Sequence, residues 1–86
     1  MEIGNVVQAL AGKEKGEIFI VLKVENDRAF IVDGKRLKKN NPKKKNLKHL
    51  KLFTNSKMDA NILADNNERV NCAIRKFLNQ KRSEHV

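Results

Sequence analysis

No tryptophan or tyrosine occurs in this chain, and its four phenylalanines (Phe19, Phe30, Phe53 and Phe77) all sit in apolar patterns. Proteins that read unpaired bases stack them on aromatic side chains. These rings are instead expected in the core, which disfavours such reading. The single cysteine, Cys72, excludes an intramolecular disulfide and suits a reducing compartment. With only two histidines, His49 and His85, it offers neither metal-ligand spacing nor a thiolate–imidazole pair. The longest apolar run, residues 18–22, is far too short for a bilayer. The opening MEIGNVV has neither the charged nor the apolar region of a signal peptide. A soluble, cytoplasmic chain is expected.

Catalytic signals are equally sparse. The glycines of Gly12-Lys13-Glu14-Lys15-Gly16 lack the GK[ST] ending and the strand-to-helix transition of a nucleotide loop. Ser56 and Ser83 stand in no triad context. Glu14 and Glu17 flank Lys15 in an open turn where nothing would desolvate either carboxylate, so they are read as adjusting local charge. No enzyme, cofactor or metal is expected.

Acidic residues are missing from one window. Residues 35–51, KRLKKNNPKKKNLKHLK, hold nine of the nineteen lysines and arginines and no aspartate or glutamate. Lys57 extends the acid-free segment to ten positive charges, and the remainder sums to −1, so the net charge of +9 originates here. A surface of one sign attracts polyanions, and lysines displace condensed counterions from a nucleic-acid backbone. About six phosphate contacts would give a log–log salt slope of about −4 to −5. Arg36 is the only arginine in the window, which suits point-charge contacts better than bidentate base reading.

Eighty-six residues fit one domain. The first half reads as β. A short strand at 6–10 is followed by the glycine-bounded turn, then a strand at 17–25 with Ile18, Ile20, Leu22 and Val24 on one face and Phe19, Val21 and Lys23 on the other. Asn26-Asp27 turns it into a strand at 28–32. Asp33-Gly34 carries a type I′ hairpin signal, with residues 35–38 as the return strand and Leu37 inward. Pro42 makes 39–46 a loop, and Leu50 and Leu52 flank Lys51 as in a half-buried edge strand. Four or five short strands suggest a small closed or nearly closed barrel. The second half changes period. Ser56-Lys57-Met58-Asp59 resembles a capping box for a short turn through Ile62 and Leu63, and Asp65-Asn66-Asn67-Glu68 repeats it. Val70, Ile74, Phe77 and Leu78 then predict a helix over about 66–81, with Cys72, Arg75, Lys76 and Asn79 opposite. Its stripe packs on the barrel or on a partner.

Residues 5–33, through Val6-Val7, the Gly12–Gly16 turn and the hydrophobic strand that follows, resemble the KOW motif of ribosomal and transcription-elongation proteins. Asp33-Gly34-Lys35-Arg36-Leu37 and Asn41-Pro42-Lys43-Lys44-Lys45-Asn46-Leu47-Lys48-His49-Leu50 narrow the likeness. Together they look like the large-subunit ribosomal proteins of the archaeal and eukaryotic fourteen-e type and the small bacterial KOW proteins similar to them. The resemblance implies an SH3-like β-barrel over residues 1–54, a C-terminal helical tail over 55–86, and binding of ribosomal or other structured RNA. It places Lys13 and Lys15 on the first barrel loop near the RNA, and Arg36, Lys38, Lys43, Lys44, Lys45, Lys48 and His49 in a basic strip. Lys35, Lys39 and Lys51 complete the acid-free window. For His49 a phosphate contact and a bond to a neighbouring carbonyl fit equally well. The rival reading is a protein-interaction module, its helix and basic surface meeting an acidic partner. Attachment to anionic membranes fits less well, because Pro42 breaks the segment and few apolar residues could insert.

Overall fold

Residues 18–21 are apolar and buried without exception, which requires protein on both faces of the strand that holds them. The computed structural model describes residues 1–84 and supplies both. The chain is mostly β: an antiparallel sheet of β1 (Asn5–Ala9), β2 (Ile18–Glu25), β3 (Arg28–Val32), β4 (Lys43–Asn46) and β5 (Leu50–Lys57), in the order β4-β3-β2-β1-β5. A 3-10 turn, Leu47–His49, joins β4 to β5. A one-turn helix α1 (Ala60–Leu63) and the C-terminal helix α2 (Arg69–Glu84) follow.

The two faces of the sheet form two cores. On the inner face, Val7 and Ala9 of β1, Phe19 and Val21 of β2, Ala29 and Ile31 of β3 and Leu50 of β5 pack together. Residues of β3 and β5 share this one core although the two strands are not neighbours in the sheet, which fits a curled sheet. On the outer face, Val6, Ile18, Ile20 and Val32 pack against Met58, Leu63, Val70, Ile74 and Leu78. The stripe read from the helical period therefore lies on the sheet, and the helix shares a core with it.

Several sequence expectations change. β4 and β5 form no ladder with each other, so the barrel stays open along that seam. Val24 packs with the inner core while Leu22 packs with the outer one, because the β2–β3 register shifts between Val21 and Lys23. The extra residue of such a bulge inverts the alternation beyond it.

The expected hairpin at Asp33-Gly34 is also absent. The Asp33 carboxylate accepts from the backbone N–H groups of Lys35 (2.8 Å) and Leu37 (2.9 Å), and Asp33 N–H donates back to the Leu37 carbonyl (2.9 Å). A side-chain acceptor thus gives these amides a local alternative to a ladder. Residues 35–38 form no return strand. That strand comes after Pro42, where 43–46, expected in a loop, pair with β3 from Ile31↔Lys43 to Arg28↔Asn46.

In β5, Leu50 is buried and Leu52 is exposed. Residues 53–56 lie opposite the single Val6, since Val7 pairs with Leu52 and Asn5 with Lys57. Ser56 belongs to this strand, so the cap of α1 is Asp59, whose carboxylate accepts from Asn61 N–H. The longer helix starts at Arg69, three residues after the expected Asn66, because Asp65 and Asn67 spend the intervening amides on side-chain turns (Asn67 N–H to Asp65 Oδ1, Arg69 N–H to Asn67 Oδ1).

Candidate nucleic-acid interface

Lysines 43, 44 and 45 are consecutive on a strand, so they cannot share a face. Lys43 and Lys45 stand opposite Ile31 and Ala29, both inner-core residues, and so point to the inside of the curl. Glu14 of the β1–β2 turn meets them there. Its carboxylate pairs with Lys43 Nζ and lies 3.5 Å from Lys45 Nζ, which also donates to the Ala11 carbonyl at 2.8 Å. The Lys45 side chain is only 10% exposed and that of Glu14 17%. The hydrogen bond from Lys43 holds the Glu14 carboxyl down at about 2, its own backbone amide adding to the effect against the opposing cost of burial. The turn expected to be open is thus pinned across the unpaired seam of the sheet, and Glu14 is a structural counter-ion to two lysines of the basic strip.

Lys44 points the other way, 5.3 Å from the centroid of the Phe30 ring, with Lys23 at 5.6 Å. Phe30 belongs to neither core and is half-buried on the outer face, a departure from its expected place among core rings. Phe19 is fully buried, whereas Phe53 and Phe77 pack at the margin of the outer core.

The remaining strip residues separate by partner. Arg36 pairs with Glu17 at 3.2 Å. Lys39 is turned toward the helical segment: its N–H donates to Asn71 Oδ1 (3.0 Å) and its ammonium to the Asp65 carbonyl (2.6 Å). Lys57 pairs with Glu2, whose carboxyl is lowered by that contact. Lys13, Lys15, Lys35, Lys38, Lys48 and Lys51 are exposed and have no ion pair among the described residues. His49 lies in the 3-10 turn rather than in a strand and is half-buried, its carbonyl accepting from Leu10 N–H at 2.8 Å.

These contacts link the elements that carry Lys13, Lys15, Lys44, Lys48 and Lys51. The β1–β2 turn is tied to β4 through Glu14, β4 runs directly into the 3-10 turn, and Leu10 is bonded to His49 where β5 begins. Lys35 and Lys38 lie in the loop that enters β4. Among the twelve candidate residues, Lys43 and Lys45 are committed to Glu14 and Lys39 to Asn71 and Asp65. Sequence reasoning missed the role of Glu14. The available signal was the i, i+2 spacing of Lys43 and Lys45, which on a strand puts both on one face; that the face turns inward and needs a counter-charge was set by the fold.

Cys72 is half-buried and unbridged. Among the described residues no group of three histidine, cysteine, aspartate or glutamate side chains could hold a metal ion, and His85 lies outside them. No described helix is long and apolar enough to cross a membrane.

The fold and these basic elements define a small mostly β domain, an antiparallel sheet with a C-terminal helix, that presents lysines around one open seam. Comparison of the chain with protein-family models and with curated proteins finds no match.

Proposed function

We propose that this protein is a KOW-type RNA-binding protein of the translation apparatus, acting in the cytoplasm without catalysis and binding structured RNA, in particular ribosomal RNA, by electrostatic contact with its backbone. The observation that carries this reading is the set of lysines at the seam (Lys13, Lys15, Lys44, Lys48 and Lys51) without acidic partners among the described residues. Their elements are tied together by Glu14 and by the Leu10–His49 bond. Cations held in place lose less conformational entropy on meeting phosphates than the same cations on a flexible tail. The resemblance of residues 5–50 to KOW proteins supports the same partner. The rival, a protein-interaction module whose helix stripe and basic surface meet an acidic partner, is the less favoured reading, since Val70, Ile74 and Leu78 of the stripe are buried against the sheet.

The test is a salt titration of binding to total ribosomal RNA and to an unstructured homopolymer of equal charge. The expected result is a preference for the folded RNA that survives physiological salt, with a log–log slope of about −4. Lys44→Glu with Lys48→Glu should abolish the preference. Equal affinities that vanish together as salt rises would identify a generic polycation and reject the reading.

A further inference from the structure

The chain has five arginines, Arg28, Arg36, Arg69, Arg75 and Arg82, and three of them line one cleft. This cleft, of about 270 Å³, lies between helix α2 and the compact turn that begins at Asp33. Arg36 and Lys35 come from the turn, Arg75 and Arg82 from one helix face two turns apart, and Ile18 and Leu78 contribute apolar lining. Lys35 and Arg36 belong to the basic strip, but no reading of that strip includes the helix arginines.

Two acids also line the cleft, and they offset only part of its charge. The Asp33 Oδ1 atom is spent on the amides of Lys35 and Leu37 within its own turn. Glu17 pairs with Arg36, but the two side chains are 48% and 75% exposed, and pairs so exposed contribute little. Arg36 can therefore exchange this carboxylate for a stronger anion. Arg75 is positioned by its bond to the Gly34 carbonyl, and Arg82 by its bond to Asn79 Oδ1 one turn earlier. Gly34 is what allows this approach: it lies at φ +80°, and a Cβ there would stand 2.3 Å from the Asn71 carbonyl oxygen. Four cations against two acids leave an excess of positive charge. Planar guanidinium forks match phosphate oxygens in pairs, as ammonium groups do not.

We infer that the cleft between α2 and the Asp33–Leu37 turn is a phosphate-binding site that grips a backbone phosphate of the bound RNA, which makes the C-terminal helix part of the RNA-binding surface. The inference rests on the RNA-binding reading above but concerns arginines of the helix, which that reading does not use. The lysines of the seam supply attraction along the backbone, and the arginines fix one phosphate in place.

The test uses the full chain and two arginines whose removal leaves the core untouched, as Arg36→Gln, Arg82→Gln and their combination. Inorganic phosphate is titrated while the amide signals of residues 33–37 and the arginine Nε–H signals are followed by NMR, and RNA binding is measured against salt. Expected are phosphate-dependent shifts confined to the cleft and lost in the double variant, and an RNA salt slope shallower by about one in the double variant, the share of one phosphate. Unchanged RNA affinity and slope in the double variant, with wild-type binding intact, would overturn the inference while leaving the RNA-binding reading in place. Wild-type protein that binds no RNA yet shows the phosphate shifts would support the site and reject the RNA reading. Silence in both measurements overturns both.

Discussion

A lysine in this chain is not one kind of residue. Lys45 is nearly sealed from water and bonded to Glu14 and the Ala11 carbonyl, while its neighbour Lys44 stands outside over a phenylalanine ring. Glu14→Gln should therefore leave two inward ammonium groups without their counter-charge. We expect a loss of about 2–3 kcal/mol by chemical denaturation, below the range for a fully buried pair because the Lys43 side chain remains 42% exposed. The lowered carboxyl of Glu14 also sets a pH dependence. Its folded value, about 2, lies below the ordinary 4.5, so the unfolded chain binds the proton more readily. The stabilisation is present above about pH 4.5 and is lost as pH falls toward 2. Acid titration of stability should show this loss in the wild type, reduced in Glu14→Gln. Lys44→Gln, by contrast, should leave stability within about 0.5 kcal/mol and make the RNA salt slope shallower by about one. A variant reversing Lys43, Lys44 and Lys45 together would confuse the two effects, because it breaks the seam as well as the surface.

At the scale of elements, the helix and the loop before β4 depend on each other. Ile74 is fully buried in the outer core, and Ile74→Ala should cost about 2–5 kcal/mol, read from a denaturant midpoint. Gly34→Ala should also destabilise, since the added Cβ has both a positive φ and the Asn71 carbonyl against it. Its effect should include changed amide signals at Lys39, which donates to Asn71 Oδ1. Both elements were legible in part. The i, i+4, i+8 spacing of Val70, Ile74 and Leu78 identified the buried face, because helical periodicity is a local property. The Asp33-Gly34 dipeptide misled, because the turn it makes is chosen by the Asp33 carboxylate and by the helix packed upon Gly34, and neither is visible in a two-residue signal.

At the scale of the whole molecule, the sheet is covered on both faces, and the helical segment is the outer cover. Removing residues 59–86 should expose Val6, Ile18, Ile20 and Val32 to water, so the truncated chain should lose cooperative unfolding or aggregate. A truncated chain that unfolds cooperatively with unchanged stability would contradict this. Cutting after Phe53 would be harsher still, since β5 runs to Lys57.

Composition and local pattern alone determined that the chain is mostly β with a C-terminal helix, that its positive charge arises from one acid-free window, and that a helix stripe needs burial. Alternation, helical period and charge content are set by residues close in sequence. Only the tertiary structure decided which of those charges are presented. Glu14 reaches Lys43 and Lys45 across the seam, Lys39 turns to the helical segment, and Arg75 and Arg82 come to lie beside Arg36. Such pairings depend on how a curled sheet and a docked helix bring distant residues together, and no local spacing encodes that distance.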